Sequence, residues 1–293
     1  MSNTSEKLVM WLFETNAVRV CPQDDPFWYT SGTIGPYYIN THFLYGNEDK
    51  ADTLLKAIDI EKENKLTCPL KLHKITKANY KSDLIYNGLI DRMIDYIKSN
   101  IDLRGVDYIS GGERRDWFFS LVIANIFKKP HITIYKDLST VITHNGIVQE
   151  IDNINNKSVL HIADLITEAS SYERAWIPAI KRLGGKIKWS VVVVDRKQGG
   201  EELLAKEGVK SYSMVNIDKS LFEKVLSLGL INEEQYDMII KYLESPKQAM
   251  KEFLEKNPQF LKNALKVGNK SIKRAKLCLE KNYYELDLEA FKV

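Results

Sequence analysis

Between residues 106 and 216 short β-branched runs alternate with helical stretches, and this alternation limits the possible folds more than any other feature of the chain. Strand patterns at 106–110, 131–136, 158–163, 188–195 and 209–215 are separated by helical patterns at 117–127, 172–183 and 201–206. Lys129-Pro130 and Gly184-Gly185 stop two of those helices. Strands joined through helices argue for a mostly parallel α/β sheet, doubly wound, with helices on both faces. A further pattern at 141–151, turned at Asn145-Gly146, predicts a hairpin.

The flanks read differently. Residues 6–17 predict an amphipathic helix with Leu8, Leu12 and Phe13 on one face. Residues 27–40, with Ser31-Gly32 and Gly35-Pro36, predict a small hood of strand, tight turn and strand. Residues 48–100 are patterned as one helix over about 50–60 and a longer one ending near Asn100, broken near Cys68-Pro69. After Asp218 short helices follow at 221–228, 233–243, 247–254, 258–266 and 271–281. The expected organisation is a sheet domain over 1–217, including the helical segment 48–100, and a helical extension over 218–293. Residues 262–281 hold seven Lys/Arg (Lys262, Lys266, Lys270, Lys273, Arg274, Lys276, Lys281) against Glu280 alone. They form either a phosphate-binding patch or a solvated face opposite Ile272, Ala275 and Leu279.

Composition removes whole classes of function. Lys+Arg number 42 and Asp+Glu 39, and a net charge of +3 over 293 residues argues for neither a nucleic-acid nor a membrane partner. No apolar run reaches the ~18 residues of a membrane span. Cys21, Cys68 and Cys278 are too few and too far apart for a disulfide framework or a metal-ligand spacing. A cytoplasmic location is expected.

In an open parallel sheet, ligands bind outside the carboxyl ends of the strands at a switch in strand order. At one such end His161-Ile162-Ala163-Asp164-Leu165-Ile166-Thr167-Glu168-Ala169-Ser170-Ser171 reads as strand, acid, and small hydroxylic residues opening a helix. Hydroxyls and N–H groups there suit a phosphate, and Asp164 suits sugar hydroxyls; alternatively Ser170 or Ser171 is a helix cap. This segment resembles the phosphoribosyl-pyrophosphate motif of type I phosphoribosyltransferases, and about 6–217 resembles orotate phosphoribosyltransferase. Three more features carry the resemblance in the same order. They are Phe27-Trp28-Tyr29-Thr30-Ser31-Gly32 with Gly35-Pro36-Tyr37-Tyr38, Gly111-Gly112 followed by a helix, and Asp195-Arg196-Lys197-Gln198-Gly199-Gly200.

The resemblance implies transfer of ribose 5-phosphate from phosphoribosyl pyrophosphate to a nucleobase such as orotate, with Mg²⁺ held mainly through substrate oxygens and water, in a homodimer. It implies catalytic roles for Lys136 and Asp164. Substrate-binding positions are Phe27, Ser31, Gly32, Arg114, Arg115, Thr167, Glu168, Ala169, Ser170 and Ser171, with no residue assigned to hold the metal directly. Arg114 and Arg115 either grip pyrophosphate or pair with Glu113 and Asp116; His144 either joins Lys136 or faces solvent. Phe27, Trp28, Tyr29, Tyr37 and Tyr38 either stack a base or form core or a dimer interface. The chain departs from the family where Ala163 replaces an acid, Thr30 replaces a lysine, and Glu168 and Ala169 replace small neutral residues including glycine. A carboxylate about 5 Å from a phosphate at an effective dielectric near 20 costs ~3 kcal/mol per charge pair, so Glu168 is expected to oppose the 5-phosphate. A non-catalytic ligand-binding or regulatory protein on this fold is the alternative, with an enzyme acting on another phosphorylated nucleotide or sugar behind it.

Overall fold

Val191, Val192, Val193 and Val194 are all 0% exposed, which requires a strand covered on both faces. Burial at that depth is worth about 1.5–3 kcal/mol per valine side chain. The surrounding architecture is given by a computed structural model that describes residues 3–266 and 268–287.

Among these residues the chain begins with α1 (Asn3–Glu14) and four short strands, β1 (Val18–Val20), β2 (Phe27–Trp28), β3 (Ile34–Gly35) and β4 (Tyr37–Ile39). Then come α2 (Glu48–Glu61), α3 (Cys68–Ser82) and α4 (Leu84–Asn100). The alternating part runs β5 (Tyr108–Gly112), α5 (Trp117–Ile126), β6 (His131–Ile134), β7 (Thr140–His144), β8 (Ile147–Glu150), β9 (Ser158–Ile166), α6 (Ile177–Arg182), β10 (Lys186–Asp195), α7 (Gly200–Lys206) and β11 (Lys210–Asn216). Helices α8 (Lys219–Ser227), α9 (Glu233–Glu244), α10 (Pro246–Lys256), α11 (Pro258–Ala264) and α12 (Asn269–Lys281) follow.

The chain divides into two compact units. One comprises Met1–Ala17 with Thr41–Ile217, the other Val18–Asn40 with Asp218–Val293. In the first, a seven-stranded sheet has the order β11-β10-β9-β5-β6-β7-β8. β11, β10, β9, β5 and β6 are parallel, and the predicted hairpin, β7 with β8, adds antiparallel strands at the edge beside β6. Residues 117–124 of α5 are all buried, as an all-round apolar helix must be. From β5 the chain moves to β6 on one side, and later to β9 on the other. The switch in strand order therefore lies between β5 and β9, and their carboxyl ends frame the crevice.

Three expectations need adjusting. The long helix ending near Asn100 is two, because Asp83 is extended, closes α3 and caps α4 by accepting the Tyr86 N–H at 2.8 Å. Residues 164–166, beyond the strand pattern at 158–163, continue β9, since pairing with β10 persists to Ile166 opposite Asp195. The helical segment after the loop begins at Ser170 and includes a wide π-helical turn, Tyr172–Trp176, ahead of α6.

In the second unit β1 pairs with β4 and β2 with β3, all antiparallel. Strands this short need cover. Tyr37 supplies an anchor, its ring against Phe222 at 5.5 Å and Tyr242 at 5.7 Å, while Trp28 stacks on Phe260 at 5.5 Å. Residues 18–40, which the sequence groups with the sheet, thus share their core with the C-terminal helices.

The Gly111-Gly112 pair is a packing requirement of the first unit. A Cβ on Gly112 would come within 2.2 Å of the Trp176 ring, and one on Gly111 within 2.2 Å of Ser120 Oγ. Gly112→Ala is expected to cost about 1–3 kcal/mol through overpacking, read as a fall of several degrees in Tm by calorimetry.

Candidate functional site

A cavity of about 350 Å³ opens at the β5/β9 switch point. Residues 113–116 after β5, Lys136 after β6, and the end of β9 with 167–172 line it, together with Trp176. Of the residues proposed by sequence, it gathers Lys136, Asp164, Arg114, Arg115, Thr167, Glu168, Ala169, Ser170 and Ser171.

Asp116 is the buried centre of this arrangement. Its Oδ2 accepts the Gly112 N–H at 2.9 Å and its Oδ1 accepts the Asp164 N–H at 3.2 Å, so one carboxylate ties the end of β5 to β9. His161 Nε2 stands 3.3 Å from Oδ2 without forming a hydrogen bond, while its Nδ1 meets Ser110 Oγ at 2.8 Å. Asp164 is 7% exposed and its Oδ2 accepts the Thr41 hydroxyl at 2.8 Å. Burial, with the Asp116 charge adding to it, pushes the Asp164 carboxyl above the usual carboxylate range; Arg115 and the Thr41 hydrogen bond pull the other way. Sequence patterning missed Asp116 and Thr41, whose roles rest on backbone groups and on a residue 123 positions away.

The cations divide unequally. Glu113 is held by Lys62 at 3.1 Å and accepts the Lys136 N–H at 3.1 Å. Arg114 pairs with Asp59, across a cis peptide bond from Glu113. Neither arginine pairs with Glu113 or Asp116, and the side chains of Arg115 and Lys136 have no ion-pair partner among the described residues. These two are the cations left to meet a ligand.

In the loop, Ala169 has φ +55°, a left-handed conformation that suits glycine, and its side chain is buried. Glu168 is exposed on the cavity wall. The turn after β10 packs behind it: Arg196 N–H donates to Ile166 O at 2.9 Å, and a Cβ on Gly200 would meet Thr167 O at 2.6 Å. Ala163 is buried in the hydrophobic core and offers the cavity no acid.

Phe27, Ser31 and Gly32 belong to the second unit, where Ser31 Oγ and Thr33 Oγ1 are 2.7 Å apart and Gly32 has φ +86°. Of the five aromatics in that region, Tyr37 is core. His144 ends β7 and does not line the cavity. His131 is buried between Ser120 and Thr133, with burial lowering its imidazole to about 3. Among the described residues, no group of three or more His, Cys, Asp or Glu could hold a metal ion by itself, and no helix is long and apolar enough to cross a membrane.

The chain resembles orotate phosphoribosyltransferases in sequence. It is 26% identical to that of Staphylothermus marinus over 248 residues, 83% of this chain and 97% of the relative. It is 30% identical to that of Sulfurisphaera tokodaii over 159 residues, 54% of this chain and 77% of the relative. An adenine phosphoribosyltransferase of Mannheimia succiniciproducens is 28% identical over 43% of this chain and 76% of its own length. No family model matches. Among solved structures, UMP synthase of Leishmania donovani superposes with a TM-score of 0.54 and 18% identity over 82% of this chain, which spans only 42% of that protein. Orotate phosphoribosyltransferase of Francisella tularensis superposes with 0.51 and 16% identity, covering 80% of this chain and 96% of that one. Both show the shared fold.

Asp164 carries a stability signature. Its carboxyl is raised on folding, so ionisation opposes the folded state and stability is lost as pH climbs above the ordinary value of 3.8. Asp164→Asn is expected to raise Tm at pH 7 and to lose that advantage near pH 3.5; a gain independent of pH would contradict this electrostatic account.

Proposed function

Because the chain belongs to the orotate phosphoribosyltransferase family of type I phosphoribosyltransferases, we propose that it transfers ribose 5-phosphate from phosphoribosyl pyrophosphate to a nucleobase, releasing pyrophosphate. The observation that carries this reading is the switch-point cavity, where buried Asp164 shares the lining with the free cations Arg115 and Lys136. In the reaction the bond from C1 to the pyrophosphate oxygen breaks and a bond from C1 to a base nitrogen forms. The chain's task is positioning and charge stabilisation.

Asp164 accepts hydrogen bonds from the ribose hydroxyls, with Thr41 fixing its Oδ2. Lys136 and Arg115 draw the leaving pyrophosphate, while Arg114, which also lines the cavity, is paired with Asp59. Thr167, Ser170 and Ser171 offer hydroxyls and N–H groups to the 5-phosphate. Mg²⁺ would be held mainly through substrate oxygens and water, with no residue of the chain assigned to hold it directly, and when bound it would neutralise pyrophosphate charge. Phe27, Ser31 and Gly32, which belong to the second unit, keep a substrate-binding role on the resemblance alone. The active form is a homodimer, for which sedimentation should show about 68 kDa, twice the 33.8 kDa chain; a monomer alone at micromolar concentration would count against it.

Calorimetric titration with phosphoribosyl pyrophosphate and Mg²⁺, followed by a pyrophosphate-release assay over a panel of bases, tests the reading. Binding without release from any base would favour the non-catalytic alternative. Glu168 opposes the 5-phosphate, and its exposure moderates the effect through solvent screening. Glu168→Thr should therefore tighten phosphoribosyl-pyrophosphate binding at least tenfold, about 1.4 kcal/mol, with less gain at high salt. If the wild type binds tightly and the variant is neutral, Glu168 points away from the ligand.

A further inference from the structure

A second cleft, of about 340 Å³, lies within the first unit, where α3, α5 and the β7–β8 hairpin meet. His131, the first residue of β6, lines it, whereas Lys136, just past the end of β6, lines the switch-point cavity. The two hollows therefore open at opposite ends of that strand, and the reaction above uses nothing in this one. Leu121, Ala124 and Asn125 reach it from α5, at the three- and four-residue spacing of a single helix face, and Leu70 and His73 reach it from α3. His144 and the Asn145-Gly146 turn close the remaining side.

No aspartate or glutamate lines this cleft, while Lys128 and Lys129 both do. Lys128 has φ +53° and closes α5 in a place where glycine is usual. Its N–H donates to Asn125 O at 3.1 Å and the Lys129 N–H to Ala124 O at 3.0 Å, so backbone donors satisfy the end of the helix. Neither ammonium group has an ion-pair partner among the described residues; Asp107, whose charge Lys129 feels, is bound by Lys157 at 3.0 Å. Two lining residues also hold buried atoms without a hydrogen bond, His73 Nε2 and Thr143 Oγ1. Asn125 lies beside the His73 ring, and the His131 nitrogens are taken by Ser120 and Thr133. A buried hydroxyl without a partner is costly, and that of Thr143 has other staggered positions from which to meet a bound molecule.

We propose that this cleft is a binding site, separate from the switch-point cavity, for a small phosphate monoester with an aromatic body. Two neighbouring ammonium groups and no lining acid match a dianion better than a single negative charge. Leu70, Leu121 and Ala124, with the imidazole of His144, offer apolar and ring surface to the aromatic body. The volume sits at the small end of the range for ligand pockets, about 300–1,000 Å³, and inorganic phosphate alone would leave most of it unfilled. The site stands independently of the reaction assigned above.

Calorimetric titration of the full chain with 1-naphthyl phosphate, 1-naphthol and inorganic phosphate tests this assignment. The ester should bind once per chain, and the other two at least tenfold more weakly. The double variant Arg115→Ala/Lys136→Ala, which strips the switch-point cavity of its free cations, should bind the ester as the wild type does. Lys128→Asn/Lys129→Ala, in which asparagine suits the left-handed backbone, should weaken the ester at least tenfold and leave 1-naphthol unchanged. Asn125→Trp, which fills the cleft from an exposed position, should abolish binding of the ester with Tm unchanged. No binding of the ester by the wild type, equal affinity for inorganic phosphate, or loss of binding in Arg115→Ala/Lys136→Ala would overturn the proposal. So would an unchanged Kd in either Lys128→Asn/Lys129→Ala or Asn125→Trp.

Discussion

A carboxylate taken out of water is tolerated only when its oxygens are satisfied, and Asp116 meets that condition with the backbone. Gly112 and Asp164 each give it an N–H, from two strands that part company in the sheet's connectivity. Removing the acceptor would strand two buried donors at a cost of about 1–3 kcal/mol each. The loop after β5 and the acid-bearing end of β9 are thereby held as one piece. His161 and Ser110 continue that contact into the sheet, directly below the cavity.

The cavity built on this joint is electrostatically divided. Asp116 raises the cost of ionising Asp164, and Glu168 adds a negative charge at the loop, while Lys62 and Asp59 have already claimed Glu113 and Arg114. What is left to attract an anion is Arg115 and Lys136. A site so poised is less stable than its surroundings require, which is the usual relation between function and stability. The left-handed backbone of Ala169 fits the same pattern, since glycine would adopt it more easily.

The parallel sheet was legible because strands covered on both faces must be apolar throughout, and 158–163 and 188–195 advertise that. The cavity's position followed from topology, and the membership of its walls from residues adjacent in sequence. The assignments that differed depend on distant partners. Nothing near Arg114 and Arg115 distinguishes them, because Asp59, 55 positions earlier, does so. Asp116 carries no local sign of its role, since backbone donors leave no trace in a side-chain pattern. Asp83 divides a continuous helical pattern through its own backbone conformation. Residues 18–40 read as part of the sheet domain until their aromatics are seen against helices more than 180 positions later.

That last separation has a consequence in time. Ile34 is held by Tyr284, 250 positions away. At about 5–20 residues per second, a ribosome delivers the second of these roughly 12–50 seconds after the first. The sheet can assemble during that interval, since its strands all lie between residues 108 and 216. The short strands of 18–40 cannot complete their core, and their aromatic side chains wait without the helices that bury them. The order of synthesis thus makes the second unit the last part of the molecule to close, and makes its earliest residues the longest exposed to aggregation and to chaperones.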